Sequence, residues 1–121
     1  MPLRENLPLT ASQAENIGKP VNTKYNEMSP FLHPDNLTLY FSSNGHVGMG
    51  DYDIYVARRE KASQSWLFPK NLGYPINTHK TENSLVVDND GKTAYFSSNK
   101  KSNYLEDIFV FDLPDYMQAN P

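Results

Sequence analysis

The sequence predicts an all-β fold assembled from two copies of one antiparallel unit. The string TLYFSSN at residues 38–44 returns as TAYFSSN at residues 93–99. Agreement continues upstream: Asn16-Ile17-Gly18-Lys19-Pro20-Val21-Asn22-Thr23 returns as Asn71-Leu72-Gly73-Tyr74-Pro75-Ile76-Asn77-Thr78. Glu27, Ser29 and Asp35 return as Glu82, Ser84 and Asp90, a spacing of about 55 residues. The register then slips by one, and Asp53-Ile54-Tyr55-Val56 returns as Asp107-Ile108-Phe109-Val110. A second observation is the turn Pro34-Asp35-Asn36, answered by Asn89-Asp90-Gly91. Asn and Gly tolerate positive φ, and Asp caps such a turn through its side chain, so each copy carries a hairpin. The third is strand composition: apolar and hydroxyl residues, with no charged face.

Taken in order, the chain divides into a lead segment (residues 1–18), a first unit (19–72) and a second, incomplete unit (73–121). A helix around residues 11–16, N-capped by Thr10 or Ser12, would be stopped within two turns by Gly18 and Pro20. The match of Asn16-Ile17-Gly18 to Asn71-Leu72-Gly73 favours a different reading, the tail of an outer strand. First strands are predicted over residues 28–33 and 83–88, and second strands over 38–43 and 93–98. Period two puts Thr38, Tyr40 and Ser42 on one face and Leu39, Phe41 and Ser43 on the other. In the third strands Ile54 and Val56 oppose Tyr55 and Ala57, as Ile108 and Val110 oppose Phe109 and Phe111. A sheet with one wet face alternates apolar with charged residues, and these strands do not, so both faces call for cover. A fourth strand is predicted over residues 65–72, anchored by Trp66, with Pro69 tolerated on a free edge. The second unit has no counterpart after Phe111.

A chain with a spare fourth-strand tail in front and a missing fourth strand behind is circularly offset, the arrangement by which β-propellers close. Two blades cannot close a ring, because propellers have typically about 4–8. The expectation is a partial propeller: either missing blades of a longer chain, or a subunit of a head-to-tail homo-oligomer.

Composition narrows the function classes. A hydrophobic fraction of 38% is lean while aromatics reach 12%, which suits thin sheets that stack on neighbours. A net charge of −3 leaves no basic footprint for nucleic acid, and Arg58-Arg59 and Lys100-Lys101 are short and diluted by Glu60 and Glu106. With no cysteine, disulfides, thiolate metal sites and cysteine catalysis are excluded. No apolar run is long enough to span a bilayer, and residues 1–13 lack a signal-peptide hydrophobic region.

Residues 18–57 resemble the TolB-like (WD-like) β-propeller repeat, as found in OmpA-family and tetratricopeptide-containing envelope proteins of Bacteroidota. The matching pattern is Asn-hydrophobe-Gly, Pro-hydrophobe-Asn-Thr, Glu-x-Ser, then Tyr-Phe-Ser-Ser-Asn and Asp-Ile-Tyr-Val, and it covers residues 16–112. Asn36 departs from the usual Gly, and residues 100–106 have lost the glycines of the loop after the second strand. The resemblance implies two four-stranded-type blades, the second lacking its outer strand. It further implies a non-catalytic scaffold in the periplasm or at the outer membrane, with envelope or secretion-machinery proteins as partners.

Candidate chemistry is sparse, and no cofactor, metal or catalytic residue is expected. In Gly45-His46-Val47-Gly48-Met49-Gly50-Asp51-Tyr52-Asp53, His46 with Asp51 or Asp53 has the side chains for metal or proton exchange. The plainer reading is a glycine-permitted loop between strands. Tyr52, Trp66 and Tyr104 are candidate aromatic platforms for a sugar, the alternative function being a lectin-like oligomeric propeller, with a hydrolase a distant third. Asp88-Asn89-Asp90-Gly91 fails as a calcium loop, because EF-hand spacing puts Val86 and Ser97 at ligand positions. Glu27 and Glu82 are expected to play a structural part at the start of each unit. What the copies do not share, residues 45–52 against 100–106, is where specific function is expected.

Overall fold

The computed structural model describes residues 14–46, 51–74, 76–78, 81–99 and 106–119. These form seven strands and one 3-10 turn: β1 (Glu27–Leu32), β2 (Thr38–Ser43), β3 (Asp53–Arg58), β4 (Lys70–Asn71), β5 (Glu82–Val87), β6 (Thr93–Ser98) and β7 (Asp107–Asp112), then Asp115–Met117. The fold is all-β. One antiparallel sheet has the order β1-β2-β3-β4, and the other has β5-β6-β7. The two units are thus a four-stranded and a three-stranded sheet of the same order, neither closed.

Repetition extends to irregularities. In both sheets the first pairing is interrupted, between Met28 and Phe31 and between Asn83 and Val86. Ser29 and Ser84 take positive φ at these bulges (53° and 58°), and their hydroxyls lie 3.5 Å apart where β1 and β5 meet. The hairpin turns are left-handed at Asn36 (62°) and Gly91 (74°), so Asn meets the same backbone demand as Gly. Asp35 accepts from the N–H groups of Leu37 (2.8 Å) and Thr38 (3.0 Å), and Asp90 from those of Lys92 (2.8 Å) and Thr93 (3.3 Å).

Each sheet has a front face and a back face. The front of the first sheet, Phe31, Tyr40, Ile54 and Val56, packs in one cluster with the back of the second: Leu85, Val87, Ala94, Phe96, Phe109 and Phe111. Leu72 and Ile76, from the loop joining the sheets, complete that cluster. Val21, the counterpart of Ile76, packs with Leu39, Phe41, Tyr55, Ala57 and Trp66 on the back of the first sheet. With material on both sides, β2 is buried at all six positions.

The fourth strand departs from expectation. Trp66 makes an isolated bridge to Arg59, and only Lys70–Asn71 pairs with β3. Between them Leu67 and Phe68 are exposed, and Pro69 has no N–H to give the ladder. A single proline in this short edge segment reduces eight expected residues to two contact points. The first strands begin one residue earlier than predicted, at Glu27 and Glu82. Residues 14–18 form no strand, and the remainder of the segment proposed as an outer-strand tail, like the possible helix at 11–16, lies largely outside the described residues.

The segment after β7 has a part in the core that the sequence reading left unassigned. Leu113, Met117 and Ala119 are buried, the first two within the inter-sheet cluster. Tyr40 Oη donates to the Met117 carbonyl at 2.7 Å, Arg58 Nη2 donates to the Tyr116 carbonyl at 2.9 Å, and Ala119 N–H reaches the Gly91 carbonyl at 3.0 Å. In place of a fourth strand, this segment closes one end of both sheets.

Candidate functional site

The polar side chains that looked most like chemistry are engaged within the fold. Glu27 accepts from Thr23 N–H (3.0 Å), Thr23 Oγ1 (2.6 Å) and Ser43 Oγ (2.8 Å). Glu82 repeats the set with Thr78 N–H (2.9 Å), Thr78 Oγ1 (2.8 Å) and Ser98 Oγ (2.8 Å). Each carboxylate ties the loop before the sheet to the end of the second strand. Burial pushes the Glu27 carboxyl up, but hydrogen bonds from Thr23 and Ser43, with the nearby His46, hold it below its ordinary value. His33 is buried and uses both ring nitrogens: Nε2 donates to the Asp88 carbonyl (2.8 Å) and Nδ1 accepts from Asp35 N–H (3.1 Å). Asp53 is also buried, with Oδ2 accepting from Asn71 Nδ2 at 3.2 Å.

Of the five singled-out positions, His46, Asp51, Tyr52 and Trp66 lie among the described residues. His46 lies against the back of the first sheet, its ring 5.8 Å from Phe41 and 5.1 Å from Tyr55, and Nε2 lies 2.9 Å from the Val21 carbonyl. The imidazole therefore packs as an aromatic and closes a loop. Asp51 is exposed, and the Tyr52 carbonyl accepts from Glu82 N–H at 3.2 Å, joining the loop to the second sheet. Trp66 is half-buried, with the Arg59 guanidinium 4.8 Å over its ring. Tyr104 lies outside the described residues. Among the described residues no group of three His, Asp or Glu side chains is placed to hold a metal ion, and no helix is long and apolar enough to cross a membrane.

The surface that stands out was not among those five. Strand composition called for cover on both faces of both sheets, and the front of the second sheet lacks it. Tyr40, Ile54 and Val56 are 0%, 0% and 3% exposed, while their repeat counterparts Tyr95, Ile108 and Val110 are 39%, 73% and 60% exposed. Val86, counterpart of Phe31, adds a further 46%. Among the described residues β7 pairs with β6 alone, so the apolar face continues onto an open strand edge.

A second missed feature is the Asn-x-Gly-x-Pro-x-Asn-Thr loop. Asn71 Oδ1 accepts from Gly73 N–H (2.7 Å) and Asn77 Nδ2 (2.8 Å); Asn16 Oδ1 accepts from Gly18 N–H (2.7 Å) and Asn22 Nδ2 (2.9 Å). Buried Asn77 then grips the edge of β3, accepting from Ile54 N–H and donating to the Ile54 carbonyl, each at 2.7 Å. The repeated asparagine was the signal, and it marks where one sheet's loop holds the preceding sheet's edge.

Family models, curated proteins and solved structures give no match to this chain.

Proposed function

We propose that this chain is a non-catalytic β-propeller-type module, a pair of blade-like sheets that serves as a protein-interaction scaffold in a bacterial cell-envelope assembly. The observation that carries the reading is the exposed front face of the second sheet, Tyr95, Ile108 and Val110, running onto the edge of β7, which among the described residues pairs with β6 alone. An exposed apolar patch beside an open edge is a protein-binding surface, or an aggregation hazard if nothing covers it. The blade-like reading is supported by two sheets of one strand order stacked front to back, with β1 and β5 in contact at their bulges. The envelope setting rests on the motif resemblance.

The test is capture from a bacterial envelope extract by the immobilised chain, beside a Val110→Lys chain that charges only the exposed face. A defined protein retained by the first and lost from the second supports the reading. Glycan-array binding abolished by Trp66→Ala would replace it with the lectin. Turnover of an ester or glycoside abolished by His46→Ala would replace it with the hydrolase.

A further inference from the structure

We propose that the exposed front of the second sheet, with the edge of β7, receives a basic, asparagine-bearing loop from a partner protein. The chemistry of that loop is Lys-Asn-hydrophobe-Gly followed, one residue later, by Pro-hydrophobe-Asn. The inference rests on the interaction-module reading and names the segment with which the partner makes contact.

The first sheet shows how such a face is covered. Lys70 and Asn71 pair with Val56 and Tyr55, and Leu72 N–H donates to the Ile54 carbonyl at 3.1 Å. Asn77 takes both backbone groups of Ile54, its Oδ1 accepting from the N–H and its Nδ2 donating to the carbonyl. An extended residue turns its own N–H and C=O to one side, and a primary amide supplies the acceptor and donor that meet them. Leu72 and Ile76 of the same loop lie in the cluster with Tyr40, Ile54 and Val56. The second sheet repeats the receiving half of this contact. Tyr95, Ile108 and Val110 stand where Tyr40, Ile54 and Val56 stand, and they are exposed. Among the described residues β7 pairs with β6 alone. Ile108 pairs with Ser97 as Ile54 pairs with Ser42, so its N–H and C=O point away from β6.

Charge sets the character of the partner segment. Asp107 and Asp112 bound β7 and Glu106 precedes it, all three exposed. On the first sheet the Asp53 carboxylate accepts from Asn71 Nδ2 at 3.2 Å, and Asp107 occupies the same strand position for the partner's first asparagine. Where β3 ends in Arg58, β7 ends in Asp112, so a lysine set opposite Val110 has a carboxylate diagonally across from it. The motif also holds its own shape: Asn71 Oδ1 accepts from Gly73 N–H and from Asn77 Nδ2, which limits the ordering cost of binding.

The probe is a fluorescein-labelled peptide with the sequence of residues 70–78, Lys-Asn-Leu-Gly-Tyr-Pro-Ile-Asn-Thr, titrated with the full chain and read by fluorescence anisotropy. Saturable binding with a Kd below about 1 mM is expected. Replacing the peptide's second asparagine by alanine, or its lysine by glutamate, should weaken binding by about tenfold or more, as should Val110→Lys in the chain. Circular dichroism of the Val110→Lys chain should match the unsubstituted one, and the peptide variants leave the chain's folding untouched. In amide NMR spectra at saturation, Ile108 N–H should shift and Ile54 N–H should stay in place. No binding up to about 1 mM overturns the proposal, as does binding that the asparagine replacement or Val110→Lys leaves intact. Shifts centred on Ile54 overturn it too, because the peptide would then be displacing the chain's own loop. So does a mass above 13.8 kDa for the chain alone that Val110→Lys abolishes, since a second copy would then hold the face. Extract capture sensitive to Val110→Lys would still sustain the interaction-module reading if the peptide failed to bind.

Discussion

Asn77 and Asn22 occupy the same place in the same loop, yet only Asn77 holds a strand edge among the described residues. Removing the Asn77 amide leaves the Ile54 N–H without its side-chain acceptor in a buried setting, so Asn77→Ala should cost about 1–3 kcal/mol of stability. Asn22→Ala in dilute solution should stay within about 0.5 kcal/mol. Denaturant midpoints of the two variants check this contrast. The Glu27 carboxyl has a folded pKa below its unfolded one. Its contribution is therefore complete above the ordinary carboxylate value of about 4.3 and is lost as pH falls through the lower folded value. Glu27→Gln should flatten the acid limb of a stability-against-pH curve, read by thermal melts between neutral and acid pH. These roles were legible in part: repetition marked both glutamates as structural, but nothing in one sequence showed that Thr23 and Ser43 would be their donors. His46 shows why an imidazole in a loop does not by itself announce chemistry. An imidazole is also a flat ring, and against Phe41 and Tyr55 it is used as one.

Ile54 and Ile108 make the corresponding point for strands. Both follow an Asp and pair with a serine of the preceding strand, but one front face is covered and the other is not. Ile54→Ala should cost about 2–5 kcal/mol, and Ile108→Ala about 0.5 kcal/mol or less, measured by unfolding in dilute solution. Strand positions, hairpins and register were readable because period-two patterns and Asp-Asn or Asp-Gly turns are local signals. Cover was not readable, because it depends on whether another sheet lies opposite. The fourth strand was overread: Trp66 and Asn71 do meet β3, but Pro69 denies the ladder between them. The closing segment was underread because Met117 and Ala119 are brought to the core by the turn at Asp115–Met117, with no strand periodicity to announce them. Gly91 shows how closely that segment docks. It has a φ of 74°, and a Cβ there would run into the Ala119 backbone, so Gly91→Ala should cost about 1–3 kcal/mol and loosen the segment first. Hydrogen exchange at Ala119 N–H reads that loosening directly.

For the whole molecule, the closing segment and both sheets meet at Tyr40. Burial pushes its phenol up to about 12, with Asp35 adding to the rise and Arg58 opposing it. Because the folded pKa is the higher one, this contribution is complete below about 10 and is lost as pH rises through about 12. Tyr40→Phe should remove that alkaline sensitivity while costing about 0.5–1.5 kcal/mol at neutral pH, as the Met117 carbonyl loses its donor. The same scale explains the open front face. Tyr40, Ile54 and Val56 have the second sheet opposite them while the same residue types at Tyr95, Ile108 and Val110 are exposed, so the difference follows from what lies opposite rather than from a change of residue type. The central claim is that stacking position decides which of two equivalent surfaces is covered. Residue-resolved hydrogen exchange at Ile54 and Ile108 in dilute solution tests it most directly. Ile54 N–H, held by Asn77, should be protected, and Ile108 N–H should exchange rapidly. Equal protection of the two amides would contradict it.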